Sequence, residues 1–284
     1  MTALIDREPQ STGAVGRTGA LERIRVGLLD AFDRLLPRLA LRLRADRHLR
    51  TGEPELRLVS TLSMPGRLSV DVGANHGVYA VVMARHAPRV LAVEPNPRLA
   101  RLLRRGLPAN CTVLACALSE APGVAELRVP IVDGREDSYL ASLSERADRP
   151  SHRYRVELRT LDDCVREPVG LLKIDVEGHE IAVLRGARRV LREDGPNLLI
   201  EAEERHRPGA VASVATLLAE HGYRGLFRDG TRLRPLAEFD PAVHQEPTRL
   251  GRGPTETEHY VNNFVFTRHP ALFDRLLAEP VPAV

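Results

Sequence analysis

The sequence predicts an α/β fold, a mostly parallel sheet with helices on both faces, preceded by a helical extension. Three observations carry this. Short apolar runs rich in Val, Ile and Leu alternate with segments whose apolar residues recur at helical spacing, as in strands buried by crossover helices. The run through Val70 ends at Asp71, turns through Gly73-Ala74-Asn75-His76-Gly77, and is followed by a short helical segment and a second run ending in Glu94. That order of strand, glycine turn, helix, strand and acid is a βαβ nucleotide-binding unit. Further on, another apolar run leads into a second acidic turn, Lys173-Ile174-Asp175-Val176-Glu177-Gly178-His179-Glu180.

Taken from the start, residues 1–19 are polar, small and Gly-containing, and predict a disordered N-terminus. A helical extension is expected over 20–56. Leu21, Ile24, Leu28, Leu29, Phe32, Leu35 and Leu36 recur at helical spacing, Pro37 interrupts, and Leu39 to Leu49 continue as a second piece. Asp30, Asp33 and Asp46 dilute its arginines, which favours a helix laid on the domain over one lying on a membrane. The main domain is expected over 57–269. Its strands are predicted at 67–72, 90–94, 112–117, 169–175 and 197–201, with helices at 78–86, 98–106, 179–192 and 211–221 between and after them. Segments 124–129 and 154–158 read as extra strands around a polar loop, 133–152, long enough to be a substrate lid. Near the end, 223–227 and 231–236 flank an Asp229-Gly230 turn, 260–267 reads as a closing antiparallel strand, and 270–284 as a helix or tail.

Composition narrows the function classes. With 284 residues and 43% of them hydrophobic, the chain can bury a large core, but aromatics are 4% and Trp is absent, so aliphatic side chains build it. The formal charge is only +3. Of 41 basic residues every one but Lys173 is arginine, scattered near acids and not gathered into a patch. A non-catalytic nucleotide-binding domain or an RNA-directed one is the further alternative, and weak net charge and few aromatics offer little for stacking on bases. Cys111, Cys116 and Cys164 lack zinc or disulfide spacing and suggest a reducing compartment. No apolar run approaches the roughly 18 residues of a membrane span. The expectation is a soluble cytoplasmic protein without a membrane or nucleic-acid partner, with homo-oligomer formation left open.

The chemistry sits in the two turns. Gly73 and Gly77 let a strand reverse into a helix close to a ligand, and Ala74 and Asn75 lie between them. A dinucleotide fingerprint would place glycine at position 75, and its absence weakens a nicotinamide-dependent oxidoreductase reading. S-adenosylmethionine carries no pyrophosphate, and Asp71 is placed to attract its ammonium. Glu94 can take the 2′ and 3′ hydroxyls of a ribose. Pro95 stiffens the next turn, and Ser119, after the third strand, borders the expected adenine position.

The second turn supplies candidates for catalysis. Asp175 ends the fourth strand beside the crevice where strand order reverses. Glu177 and His179 follow it, and Glu201 ends the fifth strand. His206 reads more readily as a surface loop residue, and Lys173 is balanced between a strand-edge ion pair and a place on the same face as Asp175. For an alcohol acceptor a base must take the hydroxyl proton. His179 is the first choice, its ordinary pKa near 6.5 suiting the task. Asp175 or Glu201 could serve if burial raises its pKa. A hard divalent cation held by Asp175, Glu201 and another oxygen ranks second, because no decisive ligand spacing is present.

In these pieces (VDVGANHGVYA, AVEPNP, ALSEAPG, RTLDDC, LLKIDVEGHEIAVLRGA, NLLIEAE and NNFVF) the chain resembles the FkbM-type methyltransferase family over about 69–266. The resemblance implies a class I S-adenosylmethionine-dependent fold with a seven-stranded sheet, and O-methylation of a small-molecule hydroxyl, often on polyketides, glycosylated metabolites or sugars. It places Asp71, Gly73, Asn75, Gly77 and Glu94 on cofactor positions, and Asp175, Glu177 and His179 near the transfer site.

Overall fold

The structure, a computed structural model, describes residues 31–132, 135–136, 143, 150–249 and 260–282. The expected disorder of 1–19, the first part of the helical extension and most of the polar loop 133–152 lie outside the described residues.

The central sheet has eight strands: β1 (Leu68–Val72), β2 (Val90–Val93), β3 (Cys111–Leu114), β8 (Val169–Ile174), β9 (Asn197–Glu201), β10 (Arg224–Asp229), β11 (Arg232–Pro235) and β12 (Asn263–Thr267). Their order is β11-β10-β12-β9-β8-β1-β2-β3. The five strands from β3 to β9 are parallel; β12 runs antiparallel to them, β10 antiparallel to β12 and so in their direction, and β11 antiparallel to β10. Seven strands were expected; the eighth, β11, is the second arm of the hairpin that turns at Gly230 (φ 60°). β1, β2, β8 and β12 are buried along their whole length. Both faces are covered, so these strands carry apolar side chains nearly without alternation.

From β1 the chain proceeds outward to β2 and β3, then returns to place β8 on the other side of β1. The β1–β8 boundary is therefore the topological switch point, and the crevice above the two strand ends is where an open α/β sheet binds its ligand.

A second, four-stranded sheet has the order β4-β7-β5-β6, made of β4 (Ala117–Leu118), β5 (Gly123–Val132), β6 (Arg135–Glu136) and β7 (Ser151–Arg159). It divides the expected third strand. Residues 111–114 stay in the main sheet, and Ala117 pairs instead with Leu158 of β7. The predicted 179–192 helix is also cut short. The helix Glu180–Arg185 ends at Gly186, where a Cβ would overlap the Ser119 carbonyl, and Val190–Asp194 forms a wider π-type turn.

Helix α1 (Pro37–Thr51) lies over α2 (Val78–Met83) and α3 (Pro97–Gly106) through Ala40, Leu41 and Ala45. Its outer face leaves Leu39 and Leu43 exposed beside Leu35 and Leu36. After α1, Glu55 forms a buried ion pair with Arg228 of β10 at 2.6 Å, joining this segment to the far side of the sheet. Among the described residues no helix is long and apolar enough to cross a membrane.

Candidate active site

A cavity of about 310 Å³ opens above the ends of β1, β8 and β9. Six carboxylates line it: Glu53, Asp71, Glu94, Asp175, Glu177 and Glu201. Lys173 and Arg205 are the permanently charged cations among its described lining residues.

The turn after β1 forms one wall, and its glycines serve the packing of the chain on itself. A Cβ at Gly73 (φ 81°) would overlap the carbonyl of Asp175, so only glycine lets this turn close over the end of β8. A Cβ at Gly77 (φ 75°) would come within 2.7 Å of Leu103, so this glycine seats α2 against α3. Gly77 does not line the cavity, whereas Gly73, Ala74 and Asn75 do. Asn75 itself adopts φ 47°, a conformation asparagine tolerates, which is how the turn dispenses with a third glycine.

Glu94, 5% exposed, holds this turn from β2. Its two oxygens accept the backbone N–H groups of Asn75 at 2.8 Å and of Asn96 at 2.7 Å. A carboxylate offers about four lone-pair sites, so acceptor capacity remains for two hydroxyls. Burial pushes Glu94 up to about 7 against the pull of those N–H donors. Asp71, 2% exposed, is likewise pushed up to about 7 by burial, against the pull of Lys173, and its Oδ2 has no hydrogen-bond partner among the described residues. A buried unpaired carboxylate oxygen on a cavity wall is a docking point for a cation or a donor. Pro95 also lines the wall. Ser119 stands behind it: the lining at this point is Cys116, Ala117 and Leu118, and the Ser119 hydroxyl meets His179 Nε2 at 3.0 Å.

Above β8 and β9 the other acids gather. Asp175, Glu177 and Glu201 bring one carboxylate oxygen each within 4.8 Å of one another. Burial, and then Asp175, push Glu201 well above the carboxylate range, with Lys173 opposing. Asn262 donates to Glu201 Oε1 at 2.8 Å. Lys173, 1% exposed, reaches up from β8 to place Nζ 3.5 Å from Asp175 Oδ2, beside the Tyr79 ring at 4.9 Å. Burial works against its charge, but Asp175, Glu201, Glu53 and Asp71 outweigh it and hold Lys173 above its ordinary value.

The rim carries an ion-pair chain. Glu177, at φ 50°, pairs with His206 at 2.6 Å, and His206 also approaches Glu203 at 3.5 Å. Hydrogen bonds to Glu177 and Glu203 raise His206 to about 9 against burial. Arg205 grips both oxygens of Glu203 at 2.6 and 2.8 Å. His206 is thus half-buried in this chain and no free loop residue. His179, the N-cap of the helix Glu180–Arg185, is lowered by burial. It lines the same cavity but is tied to Ser119, on the side of the second sheet.

The structure therefore brings the predicted acids and His179 around one space, and sets Gly77 and Ser119 just behind its wall. Glu53 and Tyr79 went unread in the sequence. Tyr79 donates to Glu53 Oε2 at 2.8 Å. Glu53 lies in the connection after α1 with no pattern to mark it, whereas Tyr79, polar-tipped in an otherwise aliphatic VYAVVM helix, was a usable signal. Two acid groups have the spacing of a metal site, Asp175–Glu177–Glu201 and Glu177–Glu203–His206. In each, a resident cation already answers the carboxylates: Lys173 in the first, protonated His206 in the second.

The site is thus a cavity at the switch point of an open α/β sheet, with a buried acid just past β2 and another in β1. The model of the methyltransferase FkbM domain matches residues 71–224, more than half of the chain, and the chain belongs to that family. A methyltransferase of Sordaria araneosa, sdnD, is 30% identical, over 54% of this chain and 72% of that protein. Methyltransferase 1 of Beauveria bassiana is 26% identical, over 54% and 71%. A solved FkbM methyltransferase from Methylobacillus flagellatus aligns with a TM-score of 0.47 at 18% identity, covering 87% of this chain. The chain spans 60% of the length of that protein.

Proposed function

We propose that this chain is an S-adenosylmethionine-dependent O-methyltransferase acting on a hydroxyl of a small molecule, a secondary metabolite of the sugar or polyketide kind. The observation that supports it is the acidity of the cavity: six carboxylates face Lys173 and Arg205. Such a wall suits a ligand that brings positive charge and hydroxyls, and it repels the pyrophosphate of a nicotinamide dinucleotide.

The residues fit the donor at three points. Glu94 keeps lone pairs for ribose hydroxyls, Asp71 offers its unpaired oxygen to an ammonium, and Cys116, Ala117 and Leu118 give a flat apolar patch for a base. When bound, S-adenosylmethionine supplies an electrophilic methyl on a sulfonium and leaves as the neutral thioether.

The protein's own work is to hold the acceptor in line and take its proton. Two groups are candidates. His179 is neutral, as a base must be, but its Nε2 is engaged by Ser119. Glu201 is fixed through one oxygen by Asn262, stands in the acid group and is the more basic for its burial, so the reading gives it the proton and leaves His179 to close the base-binding wall.

The test starts with calorimetry. S-adenosylmethionine and S-adenosylhomocysteine should bind, and NAD should bind at least a hundredfold more weakly. Methyl-labelled donor with extract of the producing cell should then mark a small hydroxylated product by mass. Tighter binding of NAD, or label recovered on nitrogen, carbon or RNA, would overturn the reading.

A further inference from the structure

We infer that Lys173 is a positioning residue of the transfer site: its buried ammonium, 3.5 Å from Asp175 Oδ2, supplies the positive charge that the acids at the floor of the cavity share. This rests on the methyltransferase reading above and names a residue that reading does not use.

Two independent observations carry it. The chain has 41 basic residues and 40 of them are arginine; the one lysine is the one basic side chain wholly inside the cavity floor. A composition that writes arginine everywhere else keeps lysine where arginine will not serve. An ammonium is compact, with three rotatable donors, whereas a guanidinium is a wide planar fork that would not fit between a strand end and the Tyr79 ring.

The second observation is how loosely that ammonium is held. Among the described residues, Asp175 Oδ2 and the Ile174 carbonyl both lie 3.5 Å from it, and the Tyr79 ring face lies at 4.9 Å. A charge 99% removed from solvent is costly without short hydrogen bonds. Shared among several carboxylates, it acts on all of them without locking any one. Acids surround it from every packed element: Asp71 from β1, Asp175 from β8, Glu201 from β9, and Glu53 from the connection after α1, whose own partner is the Tyr79 hydroxyl of α2. The register places Asp71 beside Lys173 on the neighbouring strand.

The consequence is a division of labour. Four clustered acids cannot all ionise in a low-dielectric pocket. One resident positive charge opposes the effect of burial on the set, Glu201 of β9 included. A ligand cation at this floor would duplicate what Lys173 supplies.

Lys173→Met and Lys173→Gln test this. The acceptor is the hydroxylated fraction that wild-type enzyme labels, and S-adenosylhomocysteine affinity reports the fold and donor site. Affinity within about threefold of wild type is expected. The acid limb of the rate–pH profile should move up by at least one unit, since losing the cation makes the proton acceptor harder to ionise. At a pH below the wild-type limb the rate falls at least tenfold, and raising the pH restores it. A second readout is direct. Protein labelled with ¹⁵N-lysine gives one side-chain signal, which should shift on adding S-adenosylmethionine and should be absent from both variants. A pH-independent loss, an unshifted limb, or a lysine signal indifferent to the bound donor would overturn the inference. Absence of donor binding by the wild type would instead sink the methyltransferase reading.

Discussion

Glu94 and Glu201 are the same residue type at equivalent places, each at or just past the C-terminal end of a parallel strand, flanking the β1–β8 switch point. Both are pushed up by burial. Their surroundings differ. Glu94 is fixed by two backbone N–H groups at 2.8 and 2.7 Å, one of them from the glycine turn. Glu201 is fixed by a single side-chain amide and looks across at Asp175 and Lys173. Rigid dipoles aimed at a carboxylate suit it to bind. A carboxylate with like charges nearby is suited to take a proton. The neighbours decide the task.

The largest effect on donor binding should come from Glu94. Glu94→Gln removes the charge and one of the acceptor faces, so two charge-assisted hydrogen bonds to ribose hydroxyls weaken together. Roughly 3 kcal/mol or more is at stake, which is about a hundredfold in donor affinity. Calorimetry with S-adenosylhomocysteine checks it, and affinity within a few-fold of wild type would erase the distinction between the two acids.

Glu201→Gln should do the opposite. Donor affinity stays put, and turnover drops by about a hundredfold or more, the range for loss of a general base. His179→Ala is the companion measurement. Under this reading it weakens donor binding modestly through the loss of the Ser119 bond and spares most of the turnover. If instead it abolishes turnover at unchanged donor affinity, the proton goes to the imidazole.

A pH titration sharpens the donor side. Asp71 and Glu94 both lie near 7 in the absence of ligand. Below that they bind protons, and a cationic donor prefers them ionised. Affinity for S-adenosylmethionine should therefore rise as pH climbs through 7 and level off above it, by about tenfold per unit if one group dominates. Binding should release protons, seen as a dependence of the measured heat on the buffer's ionisation enthalpy. S-adenosylhomocysteine, without the sulfonium charge, should show the shallower slope.

Much of this contrast was legible in the residues. The acid after each strand, the turn between β1 and α2 and the closing antiparallel strand followed from short-range pattern, because strand ends and turns are written locally. Contacts between distant segments were not. The glycines at 73 and 77 marked a turn, but what crowds them, the Asp175 carbonyl and Leu103, comes from 102 and 26 residues further on. Ser119 was placed against the base by its position after a strand. The strand breaks after Leu114 to join a second sheet, and its hydroxyl turns to His179. Glu53 was invisible because nothing near it in sequence signals a cavity 18 residues before β1 turns Asp71 into it. His206 reads as a solvated loop residue for the same reason: Glu203 is three residues away, but the shorter contact, to Glu177 after β8, forms only once β8 and β9 lie side by side.

The smallest effect concerns that last residue. His206 pairs with Glu177, whose backbone is left-handed at φ 50°. Its folded pKa, near 9, is raised above the ordinary 6.5. The stabilisation is therefore fully present below about 6.5 and is lost as pH rises through 9. The pair is partly open to solvent, so screening limits it to about 1 kcal/mol or less. Thermal melts of the wild type and His206→Gln should differ by a few degrees at pH 6 and converge by pH 10. A gap that stays constant across that range would mean that His206 supports the rim by packing against Gly178 and not by its charge.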